Sequence, residues 1–186
     1  IRDAKVQNVN LESSYICVSG IEATVGGVVA NVAGESLVSD CTSNAVIEVF
    51  DGSAGGVAGS IWGGRSAADE VEYTEEDDQR GPFSTVKNCS FSGTIRQKRE
   101  DSMSALGGVA AGNGGNLENC VNYGTIYFGA RNTDRVGGVV ASAGGMISGC
   151  ENSGTLECTL EEGTKPSDTS VCAGGIAGKM FMSSTG

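Results

Sequence analysis

Four cysteines are the first candidates for chemistry in this 186-residue chain: Cys41, Cys89, Cys120 and Cys150, spaced 48, 31 and 30 residues apart. Thiols form disulfides, hold metals and act as nucleophiles. No Cys-x-x-Cys pair occurs, and thiols about 5 Å apart on in-register parallel strands would point the same way. That arrangement suits neither a disulfide nor a tetrahedral metal cage. The plainer reading is a file of small buried side chains filling a narrow interior, with disulfide and metal chemistry as the alternatives. Cys17, Cys158 and Cys172 fall outside the file, and an odd total of 7 rules out complete internal pairing. A Cys158–Cys172 bridge would clip a loop and contribute about 3 kcal/mol by chain entropy; two separate thiols are the expected state.

Charged residues offer two further candidates. Arg96, Lys98 and Arg99 precede Arg131 and Arg135 by about one repeat, so stacked coils would gather five cations on one edge. Such an edge could seat an anionic glycan or an acidic partner, although Glu100, Asp101 and Asp134 are near enough for ordinary surface pairing. An acidic stretch, with Asp69, Glu70, Glu72, Glu75, Glu76, Asp77 and Asp78, supplies the carboxylates that Ca²⁺ prefers. It lacks EF-hand spacing, and a solvated loop is expected. Trp62, the single Trp, sits beside it and is slender support for a sugar platform.

Other chemistry is disfavoured. There is no His, which removes the commonest general base and metal ligand and any His-Glu-x-x-His zinc site. No Asp recurs at strand positions, so we expect no catalytic residue, cofactor or metal in this segment. A net charge of −11 argues against nucleic acid, whose phosphates require a cationic face.

The elements that must carry these residues are set by a repeat. Gly-Gly-aliphatic-small-small recurs at Gly26, Gly55, Gly107, Gly137 and Gly174, at intervals of 29, 52, 30 and 37 residues. A period of this size marks a solenoid whose coils contact mainly their neighbours. The residue after each Gly pair is Val28, Val57, Val109, Val139 or Ile176, predicting one internal ladder, each member worth roughly 1.5–3 kcal/mol of burial. Seven residues past the second Gly stand Gly34, Gly63, Gly115 and Gly145, read as turns with positive φ. Aliphatic-x-x-Cys follows, then a strand typified by Gly124-Thr125-Ile126 and Gly154-Thr155-Leu156. Val6 and Val9 keep the cysteine spacing without the thiol, predicting an earlier coil.

Together these features predict an all-β protein, a right-handed parallel β-helix of about five coils with three short strands per coil. Residues 1–186 form one repeat domain, interrupted by the acidic insertion 64–82 and a second loop excursion at 159–171. At the usual strand separation the body would be about 20 to 25 Å long. Open edges at both ends favour further repeats or a cap. No apolar run is long enough to span a membrane. The chain begins at Ile1 without a signal peptide and reads as a segment of a larger protein.

The units at Gly26–Ile47, Gly107–Ile126 and Gly137–Leu156, with a split copy at Gly55–Ile95, resemble the GLUG motif. This Gly-rich repeat belongs to bacterial surface proteins and to regions near the N-terminus of IgA-specific zinc metalloproteases. The resemblance implies a secreted or cell-surface location, no catalytic residues within the repeat, and adhesion to a host protein or glycan through corner loops. A carbohydrate-active enzyme or glycan-binding module on the same scaffold is the second reading, and a purely structural stalk the third.

Overall fold

The computed structural model describes residues 1–20, 22–63, 83–98, 104–129, 134–159 and 171–180. These form five coils, each contributing one strand to each of five parallel sheets. The fourth coil shows the pattern: strands Asn116–Glu118, Val121–Asn122, Thr125–Gly129, Asp134–Gly137 and Val140–Ala143. The sheets are called first to fifth in the order a coil visits them. Five strands per coil replace the three expected. The extra two come from the two-residue strand after each Cys and from a break at the Gly pair, whose first Gly ends one strand three residues before the next begins.

Alternation within these short strands turns one aliphatic inward per coil. Val6, Val38, Val86, Leu117 and Ile147 are in register on the first sheet. Ile16, Ile47, Ile95, Ile126 and Leu156 are in register on the third. The three central members of each file are fully buried, and the outer ones only partly. Backbone hydrogen bonds fix the spacing between coils: Val28 N to Val57 O at 2.9 Å, Val57 N to Val109 O at 2.9 Å, Val109 N to Val139 O at 2.8 Å and Val139 N to Ile176 O at 3.0 Å. These bonds set the five residues one above the next, and of them only Val57, Val109 and Val139 are completely buried. Val28 is half-buried and Ile176 is 38% exposed, because the end coils have a neighbour on one side only.

The Gly pairs are explained by close approach. A Cβ on the first Gly of each pair would overlap the carbonyl three residues on, Val29 for Gly26 and Ala110 for Gly107. In the first four pairs a Cβ on the second Gly would strike the next coil's backbone and an inner side chain across the core, Ser43 for Gly27, Phe91 for Gly56, Asn122 for Gly108 and Asn152 for Gly138, whereas one on Gly175 would meet nothing. The interior is too narrow for side chains from both walls.

Positive φ occurs elsewhere than expected. Among Gly34, Gly63, Gly115 and Gly145 only Gly34 adopts it, at 67°; a Cβ on the other three would overlap a neighbouring coil's carbonyl. The recurring left-handed corner lies just before the cysteine position, at Asn8, Asp40, Asn88, Asn119 and Gly149, with φ of 57°, 56°, 53°, 51° and 60°. Asn, Asp and Gly tolerate this conformation best.

Register survives the 52-residue interval. Thr85–Lys87 pairs directly with Leu37–Ser39, and Ser84 Oγ donates to Gly34 O at 2.8 Å. The coils on either side of residues 64–82 thus stack with no coil displaced. The predicted earlier coil is also present: Val6 pairs with Val38, and Thr42 N donates to Val9 O at 2.8 Å.

Candidate functional site

The outward side of the third sheet carries the most differentiated surface among the described residues. Its strands are Tyr15–Val18, Val46–Val49, Thr94–Gln97, Thr125–Gly129 and Thr155–Thr159. The Ile file turns inward, so the residue after each Ile or Leu turns out. These residues align as Cys17, Glu48, Arg96, Tyr127 and Glu157. No two neighbours in this file share a chemistry, while the buried file behind it hardly varies.

Glu48 organises one end of the file. Its carboxylate accepts from the Tyr15 hydroxyl at 2.8 Å and from Lys98 Nζ at 3.2 Å. The Tyr15 hydrogen bond, then the ammonium of Lys98 and the nearby Arg96, hold the Glu48 carboxyl below its ordinary range. The same bond, from the tyrosine's side, pushes the Tyr15 hydroxyl well above its usual value. One coil on, the Arg96 guanidinium lies 4.2 Å from the centre of the Tyr127 ring, a cation–π contact worth about 0.5–1 kcal/mol at an exposed site. The result is a flat, ordered strip of carboxylate, cation and aromatic ring.

Of the five cations predicted to share an edge, Arg96 and Lys98 do lie together here. Arg99 and Arg131 lie outside the described residues. Arg135 belongs to the fourth sheet, in register with Ala105 and Cys172, and donates to Ser142 Oγ at 3.4 Å. Among the described residues the basic cluster is therefore divided between two sheets, because the chain turns a corner between the positions of Arg96 and Arg135.

Trp62 follows the fifth-sheet strand of the second coil; its amide donates to Val32 O at 2.8 Å and its side chain is 56% exposed. It borders a shallow depression of about 400 Å³ together with Ser60, Asn113 and Gly114. The acidic insertion 64–82, with the Ca²⁺ question it raised, lies outside the described residues, as does 160–170 of the second excursion.

The four cysteines of the file occupy equivalent places in successive coils. Cys41, Cys89 and Cys120 are buried and Cys150 is half-buried at the end of the stack. Each thiol donates to the carbonyl two residues earlier: Ser39, Lys87, Glu118 and Ser148, at 3.1, 3.2, 3.3 and 3.4 Å. All seven cysteines are thiols, so the Cys158–Cys172 clip is not formed; both residues are exposed. Among the described residues no three His, Cys, Asp or Glu side chains converge on one ion position, and no helix is long and apolar enough to cross a membrane.

Tyr15, Glu48 and Tyr127 were not singled out by sequence. Their signal is positional: each is found by alternation from the conserved-in-phase aliphatic of its own strand, once the coils are aligned. No protein-family model matches the chain, and no curated protein is found to be similar to it. The architecture itself is plain. This is a repeat β-solenoid.

Proposed function

We propose that this chain is a GLUG-like, non-catalytic scaffold of a secreted or cell-surface bacterial protein, displaying a binding surface for a host protein or glycan. The observation that carries the reading is the third-sheet strip of Glu48, Arg96 and Tyr127. A rigid solenoid holds a ring face, a carboxylate and a guanidinium at fixed inter-coil spacing, and these are the groups that stack on and hydrogen-bond to sugars or polar peptides. The strip is pre-ordered by its own contacts, so binding would cost little side-chain entropy.

A glycan array and solid-phase binding to host extracellular proteins test this. Binding should weaken on Arg96→Ala or Tyr127→Ala and persist on Lys5→Ala, a substitution on the first sheet. Loss of neither, with a ligand still bound, would move the binding surface elsewhere. The second reading, a carbohydrate-active or glycan-binding module, is favoured by the Trp62 depression with its Ser60 and Asn113 polar groups. Polysaccharide turnover abolished by an Asp or Glu substitution would establish it over the scaffold. If no ligand binds, the stalk reading stands.

A further inference from the structure

The four thiols of the cysteine file repeat one geometry. Beyond the carbonyl two residues back, each Sγ also lies against a carbonyl of the preceding coil: Val6 O at 3.8 Å for Cys41, Val38 O at 3.9 Å for Cys89, Val86 O at 3.7 Å for Cys120 and Leu117 O at 3.6 Å for Cys150. Equal positions within successive coils mean that adjacent sulfurs are separated by the coil rise, about 4.8 Å. A metal–thiolate bond to a d10 ion is about 2.3 Å, so a linear S–metal–S unit spans roughly 4.6 Å. The two lengths agree. An ion at the midpoint would need no third ligand and no room beyond the gap that the stacked sulfurs leave.

We propose that the gap between Cys120 and Cys150 is a binding site for a soft, linearly coordinating d10 cation, of which Hg²⁺ is the best match. Thiolates without nitrogen or oxygen ligands select soft ions, and the absence of a third converging ligand among the described residues disfavours Zn²⁺, which requires four. Divalent charge matters because the site is largely buried: two thiolates and one divalent ion are neutral, whereas a monovalent ion would leave a net negative charge in the core. In binding, two S–H bonds break, two S–Hg bonds form, two protons pass to solvent and no electrons are transferred.

The end of the file is the entry point. Cys41 and Cys89 are sealed in the core, while Cys150 is half-buried. The Cys120 amide donates to Cys150 Sγ at 3.4 Å. This site is independent of the adhesive reading and stands or falls without it.

Native mass spectrometry and X-ray absorption with Hg²⁺ under a glutathione competitor test the proposal, using Cys17→Ser/Cys158→Ser/Cys172→Ser to remove the exposed thiols. The expected result is one tightly held Hg²⁺ per folded chain, coordinated by two sulfurs, with a mass showing two protons lost from the chain and a raised Tm. Adding Cys150→Ser should weaken retention by at least about tenfold, the smallest loss expected when a metal's surroundings are disturbed, while circular dichroism stays β. Should the serine variants fail to fold, the wild-type chain with its exposed thiols alkylated serves instead; Hg²⁺ must then protect Cys120 and Cys150 together from alkylation after unfolding. A single-sulfur ion, retention unchanged by Cys150→Ser, binding only on loss of structure, or unprotected Cys120 would each overturn the site.

Discussion

Gly108 and Asn122 face each other across the solenoid interior, and a methyl group added to Gly108 would overlap the Asn122 amide. Gly138 and Asn152 repeat the relationship one coil later. It explains why the second Gly of the first four pairs is fixed while the residue opposite changes from Ser43 to Phe91 to Asn122: one wall stays bare so that the other can vary.

Gly108→Ala should therefore cost about 1–3 kcal/mol, the usual range for overpacking. Gly112 is the internal control, since a Cβ there would meet only Ser60 Oγ, at an ordinary 3.4 Å. Gly112→Ala is expected to stay within about 0.5 kcal/mol of wild type. Chemical denaturation of the two variants side by side makes the comparison.

Asn122 is fully buried, accepts from Gly124 N at 2.9 Å and donates to Asn152 Oδ1 at 2.8 Å. Asn122→Ala strands the Gly124 amide and should lose about 1–3 kcal/mol. Ser43 holds the equivalent place two coils earlier, and its buried hydroxyl has no hydrogen-bond partner among the described residues. Ser43→Ala, which strands nothing, should be neutral or slightly stabilising. Equal losses at both positions would contradict this account of the polar file.

Glu48 gives a pH signature. Its folded carboxyl titrates below its ordinary value of 4.5, so the unfolded chain holds the proton more tightly. The stabilisation from this group is complete above the unfolded value and is lost as pH falls through the lower, folded one. Carboxyl NMR titration should show Glu48 ionising at lower pH than a free Glu, and Tyr15→Phe should move it back up by removing its largest hydrogen bond.

Val139→Asp tests the ladder. A carboxylate at this fully buried position has no partner, and the variant should lose more than about 3 kcal/mol. The same change at Ile176, already 38% exposed at the end of the stack, should be far milder. Urea midpoints for the pair measure the difference.

What the sequence made legible were the positions every coil fills alike. Val57, Val109 and Val139 betray the ladder because a β-branched residue follows the Gly pair in every copy of the Gly-Gly-aliphatic-small-small unit, and Cys41, Cys89 and Cys120 mark a corner because they keep its phase. The second strand stayed hidden: it is two residues long, too short for any period, and its inner place is filled by Leu11, Ser43, Phe91, Asn122 and Asn152 in turn. Left-handed corners at Asp40, Asn88 and Asn119 were readable from residue type, but the more frequent glycines drew that reading to Gly63, Gly115 and Gly145. The third-sheet strip could not be read beforehand, since Glu48, Arg96 and Tyr127 have nothing in common except register.

Stacking of successive coils underlies the whole account, and scalar couplings across hydrogen bonds report it directly. NMR of the labelled chain should show coupling from the Val57 amide nitrogen to the Val109 carbonyl carbon, and from Val109 to Val139. Couplings from those amides to carbonyls only a few residues away, or to none, would contradict the solenoid.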